Sequence, residues 1–319
     1  MKNMKKLVIS FTTASVLALG ITGGLNPAYA DSAPGDVIVS LGENLSADQK
    51  TKLLSEMNVP SNALTVSVSN KEEQEYLGSY IPKSQIGTRS LSSAKITLGE
   101  KGTGIKVTTN HINWVTNEMY TNALATAGVA DAEVYVTAPF DVSGTAGLTG
   151  IIKAYETSTG EKIPEEQKQV ANQEMVTTAK LGDDIGKDEA NALMTAVKED
   201  IAKDMPKTDA EMQQVVEDNA KELNIDLTDQ QKADVSSVFN KMKDLDINWH
   251  EVGDQMSAAK EKLEKFINSD EAQGFFAKVG DFAKNVFNAI VDFFKGVFDG
   301  SKDSKTETPA ETTTTTENQ

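Results

Sequence analysis

Apolar positions recur along the chain with two different periods, and the change from one to the other falls near Gly160. Before it, short strand-like runs alternate with helical stripes. Residues 36–41 form a β-branched run of strand length. Ser46 and Gln49 fit a capping box, in which hydroxyl and amide each satisfy a free backbone N–H, and Leu53, Leu54 and Met57 give the helix behind it a core face before Pro60 stops it. Residues 63–68 alternate like a strand, and 70–80 read as a short acidic helix closed by Pro82. Residues 94–98 and 105–109 have period two and flank Gly99, Gly102 and Gly104, a spacing that predicts a β-hairpin. Val115, Met119, Tyr120, Ala123, Leu124 and Ala127 place a stripe on a helix over 113–127, with Gly128 as its left-handed stop. A strand over 132–137, a Gly/Ser/Thr turn and a helix over 145–157 follow.

Beyond Gly160 the pattern is helical throughout. Pro164 sits like a first-turn proline of a helix reaching Leu181, before Gly182. Ala190, Leu193, Met194, Val197 and Ile201 mark the next helix. Capping boxes at Thr208/Glu211 and Thr228/Gln231 open two more, and Val252, Met256, Ala259, Leu263 and Phe266 continue the series. The last stripe, 275–298, gathers seven of the eleven phenylalanines on one face. The expected architecture is therefore a small mixed-sheet α/β domain over 31–160, an all-α helical region over 161–269, a Phe-rich amphipathic helix over 270–300 and a Thr-rich disordered tail over 301–319.

The first thirty residues depart from this scheme. Lys2, Lys5 and Lys6, an apolar run from Leu7 to Leu19 and the Ala28-Tyr29-Ala30 site make a signal peptide cleaved after Ala30. Secretion or association with the cell envelope is the expected location. There is no cysteine, which excludes disulfides and a lipid-modified cysteine. Cleavage takes away three lysines and no acidic residue, so the net charge falls from −17 to −20. So acidic a chain repels nucleic acid, whose binding rests on clustered Lys and Arg.

Candidate chemistry is sparse. The turn 140–147 would leave backbone N–H groups at a helix start, and Ser143, Gly144, Thr145 and Gly147 form a candidate anion- or ligand-binding turn. The competing reading is ordinary capping by Ser143 or Thr145, with the glycines present for close packing. It is not a phosphate-binding loop, because no lysine follows and the G-x-G-x-x-G spacing is missing. Phe275, Phe276, Phe282, Phe287, Ile290, Phe293 and Phe294 form a face suited to a membrane surface, to a partner protein or to the bundle core. Ser92-x-x-Lys95 matches a penicillin-binding motif only within a strand context that such chemistry does not use. Asp244, Asp246 and Asn248 begin like a calcium loop, but Trp249 replaces its glycine and Gln255 its final glutamate. With two histidines, His111 and His250, no metal site or cofactor is expected.

Gly102-Thr103-Gly104-Ile105, Asn113-Trp114-Val115-Thr116, 122–129 and 142–150 resemble the YpuA-like family of secreted proteins from Gram-positive bacilli and clostridia. The resemblance is specific over about residues 36–160. It implies export and a family without established activity, so it brings no catalytic residues. Two functional classes follow: a non-enzymatic binding or cell-envelope interaction module, or an extracellular hydrolase using carboxylates such as Glu118, Asp131 or Asp141 for acid/base work.

Overall fold

The computed structural model describes residues 32–255. The expected signal segment, the stripe continuing through Met256, Ala259, Leu263 and Phe266, the Phe-rich stripe with its seven candidate face residues and the Thr-rich tail lie outside the described residues.

Strands β1 (Val37–Gly42), β2 (Leu64–Val68), β3 (Ser93–Leu98), β4 (Lys106–Thr109) and β5 (Ala132–Thr137) form one sheet in the order β2-β1-β3-β5-β4. β1 and β2 are parallel, β4 and β5 are parallel, and β3 runs against both of its neighbours, β1 and β5. Four strands therefore point one way, and their carboxyl ends lie on one edge. The expected hairpin is corrected: β5 is inserted between β3 and β4. The segment 99–105 joins non-adjacent strands, and its end is pinned from outside, with Gly99 N donating to Asp131 O and Gly104 N to the Asp131 carboxylate at 2.8 Å.

The helices follow from caps and stripes. α1 (Ala47–Glu56), α8 (Asp209–Glu222) and α9 (Asp229–Lys243) begin in reciprocal capping boxes at Ser46, Thr208 and Thr228. α2 (Asn70–Leu77) and α4 (Asn117–Thr126) have boxes too, at Ser69 and Thr116, and α3 (Lys83–Ile86) is a single turn after Pro82. α5 (Thr145–Thr159) starts from a left-handed Gly144. α6 (Glu165–Ile185) runs through Gly182 rather than stopping before it, and Gly186 ends it. A side chain at 182 would come within 3.1 Å of Lys187 Cα, so the glycine serves the tight return into α7 (Lys187–Lys203). A further helical stretch begins at residue 249.

Each face of the sheet has its own cover. Ile38, Ala94, Ile96, Val134 and Val136 face α4 and α5, and the same buried cluster continues through Met175, Leu193 and Val197 to Phe239. Close approach of α5 requires Gly150, where a Cβ would stand 2.6 Å from Ser40 Oγ and 3.1 Å from Val68. The opposite face packs Val39 and Leu41 against Leu53 and Met57 of α1. Lys95, on this second face, ties the sheet to the helix end by donating to Met57 O at 2.7 Å.

Candidate functional site

α1 crosses the second face so that its last residue, Glu56, reaches the carboxyl ends of β4 and β5. Its Oε1 accepts three hydrogen bonds, from Asn110 Nδ2 at 3.0 Å, Tyr135 OH at 2.9 Å and Thr137 Oγ1 at 2.8 Å. None of the hydrogen bonds among the described residues reaches Oε2, and Glu56 as a whole is exposed. Its partial burial opposes the charge, but hydrogen bonds from Asn110, Thr137 and Tyr135, with the His111 ring nearby, more than offset it. The carboxyl is held below its ordinary range and stays ionised. Burial and the bond to Glu56 push the Tyr135 phenol the other way, so it remains a donor.

The loops after β4 and β5 complete the edge. His111 holds a left-handed backbone, φ 56°, and its Nδ1 lies 2.8 Å from Asp141 Oδ1. The loops are laced together by Asn110 N to Val136 O, Val142 N to His111 O, Asn113 N to Val142 O and Val115 N to Ser143 O. Phe140, between Pro139 and Asp141, is 43% exposed, one of two large apolar side chains left so open among the described residues. The result is an exposed carboxylate held through one oxygen, with the His111–Asp141 pair near it, at the strand edge where open α/β sheets place ligands; Phe140 stands exposed in the loop that follows β5.

The other residues singled out in the sequence lie elsewhere. The 140–147 turn shares this loop but faces inward. Thr145 Oγ1 donates to Glu73 Oε1 at 2.5 Å, Ser143 Oγ lies 3.1 Å from Thr145 Oγ1, and Tyr120 OH donates to Gly144 O. α5 has no side-chain cap, so the capping expected of Ser143 or Thr145 gives way to this contact. The turn receives a carboxyl, and the carboxyl is the chain's own. Glu73 is 1% exposed, and burial raises it to about 7 against the lesser pull of Thr145 and Asn70. Glu118 is exposed in the first turn of α4, and Asp131 is engaged with Gly104 N and Gln255. His250 pairs with Asp254 on the surface at 3.1 Å. Among the described residues no group of His, Cys, Asp and Glu is arranged to hold a metal ion, and no helix is long and apolar enough to cross a membrane.

Sequence reading missed the Glu56 cluster because its members are individually ordinary and Glu56 lies 54 to 81 residues from its partners. The signal that was available is the alternation in β5, where Glu133, Tyr135 and Thr137 face away from Val134 and Val136.

Residues 41–259 match the family model described as "Protein of unknown function (DUF1002)". The chain belongs to that family. It is 55% identical over 293 residues to the "Uncharacterized protein YpuA" of Bacillus subtilis (strain 168), covering 92% of this chain and the whole of that relative. The family match spans the Glu56 edge, the inward turn and α6 to α9 alike. No solved structure matches.

Proposed function

We propose that this DUF1002 protein is exported and acts as a non-enzymatic binding module at the cell envelope, with the Glu56 edge as its recognition surface for a neutral, hydroxyl-rich glycan. The observation that carries this reading is the state of Glu56: an ionised carboxylate, immobilised through one oxygen and open at the other. A fixed anionic acceptor makes strong hydrogen bonds to hydroxyl donors. The flat apolar face of the exposed Phe140 suits the C–H face of a sugar ring, and the acidic chain disfavours anionic ligands. Export is supported by the signal-peptide pattern ending at Ala30.

The same chemistry favours binding over the hydrolase reading. Acid/base cleavage uses a carboxyl that holds its proton near neutral pH, paired with one that does not. The carboxyl raised to about 7 here is Glu73, sealed beneath α5, while Glu56 at the surface is lowered. The test is co-sedimentation of residues 31–319 with purified Gram-positive wall sacculi. The wild type is expected to pellet with them and release no soluble sugar, and Glu56→Ala and Phe140→Ala to remain in solution while still folded. Retention of both variants would reject the assigned surface, and release of soluble fragments would restore the enzyme reading.

A further inference from the structure

Both ends of the described fold lie at the sheet edge opposite Glu56. Ser32 Oγ donates to Ser158 O at 2.5 Å near the end of α5, and Gly35 N donates at 2.8 Å to the carbonyl of Leu98, the last residue of β3. At the other end, Asp131 N donates to Gln255 Oε1 at 3.3 Å, and Gln255 Nε2 donates back to the Asp131 carboxylate at 3.4 Å. Asp131 directly precedes β5, whereas Glu56 is bonded to Thr137, the last residue of that strand. The strand's 6 residues, at ~3.3 Å each, put about 20 Å between the two. The chain beyond Gln255 therefore departs from the amino edge, clear of the Glu56 surface.

The fold completes its core by that point. Val252 joins the main buried cluster, and among the described residues Leu64 and Phe140 are the large apolar side chains left exposed. Leu64 opens β2 at the amino edge and Phe140 follows β5 at the carboxyl edge, so they form no common patch. The described surface thus offers no apolar face to receive the phenylalanines of 275–298, whose pattern is read from the sequence. At 100° per residue, Phe282, Val286, Ile290 and Phe293 cluster with Phe287 and Phe294 beside them, and all the Phe, Val and Ile side chains of the stretch fill roughly half the circumference. Lys278, Asp281, Lys284, Asp292 and Lys295 fall in the other half. A coiled-coil seam is narrower than this, and five charges are too many for a membrane-spanning helix. Three lysines against two aspartates give the stretch a charge of +1 in a mature chain of −20, so it escapes the repulsion that the rest of the chain meets at an anionic surface. A wide aromatic face with lysines on the polar side suits the lipid interface.

We infer that residues 275–298 lay their apolar side into the surface of a lipid bilayer and tether the protein by the edge opposite Glu56. The contact is separate from the glycan reading and does not depend on it. The test is co-sedimentation of residues 31–319 with vesicles of phosphatidylcholine and phosphatidylglycerol in equal parts. The wild type is expected to pellet with the vesicles. Ile290→Asp and Phe293→Asp are each expected to weaken partitioning roughly tenfold or more, with the thermal unfolding midpoint unchanged, because the described core is complete without them. Asn288→Ser, on the polar side, and Glu56→Ala are expected to pellet as the wild type does. A wild type that stays in solution, or equal partitioning of Phe293→Asp, would overturn the inference. So would a lowered midpoint in Ile290→Asp and Phe293→Asp, which would place the stripe in the core, or a lipid-free dimer that Phe293→Asp dissociates, which would pair it with a second copy.

Discussion

The hydroxyl of Thr145, the first residue of α5, donates to the carboxyl of Glu73 from α2 at 2.5 Å, with both side chains buried. Burial raises Glu73 from 4.5 to about 7, so the folded state prefers the protonated form. A raised carboxyl contributes stability that is complete below its unfolded value of 4.5 and is lost as pH rises through 7. The difference in unfolding free energy between wild type and Glu73→Gln should therefore fall by on the order of 3 kcal/mol from pH 4 to pH 8, most of it between 4.5 and 7. Urea unfolding of both proteins across that range measures it, and a pH-independent difference would refute it.

The same turn leaves no space at Gly147. A Cβ there would stand 2.5 Å from Tyr120 OH and 3.0 Å from Val136. Gly147→Ala should destabilise by about 1–3 kcal/mol through overpacking. The cost should shrink when Tyr120→Phe removes the hydroxyl, because the two changes share one contact. Equal costs in both backgrounds would show that the crowding lies elsewhere.

In the helical region Lys198 and Glu174 form a fully buried ion pair at 2.5 Å, with Thr126 Oγ1 donating to Glu174 Oε2 at 2.6 Å and Lys198 donating to Asn122 O at 2.8 Å. Burial lowers the Lys198 pKa, and Glu174 partly offsets this. Lys198→Met strands a carboxylate in the core and should cost about 3–5 kcal/mol, whereas adding Glu174→Leu should recover most of the loss. Chemical denaturation of the two variants distinguishes this from a pair that simply adds stability, for which the double variant would be the worse.

Local signals were legible in the sequence, and distant pairings were not. The boxes at Ser46, Thr208 and Thr228 involve residues three apart, and each forms as the residues predict. The box at Thr116 went unread because its reciprocal partner is the Met119 sulfur, not Glu or Gln. The hairpin expectation failed because period two specifies strands but not their neighbours. β3 and β4 are close in sequence, yet each pairs with β5, whose Val134 lies opposite Ile96 on one side and Val107 on the other. The Glu56 cluster is harder still to see: a helix end, a loop and two strand positions converge only once α1 crosses the sheet.

Export carries its own test. N-terminal sequencing of the protein recovered from medium or envelope fractions of a Gram-positive host should begin at Asp31. Recovery from the cytoplasm with Met1 intact would contradict it.

The most direct test of the central claim is a two-dimensional NMR titration of residues 31–319 with soluble, uncharged wall-glycan oligosaccharides, resolved residue by residue. The account predicts saturable shifts in Asn110, His111, Tyr135 and Phe140, lost in Glu56→Ala, with the amides of α8 and α9 unmoved. Shifts confined to other surfaces, or none at saturating glycan, would contradict it.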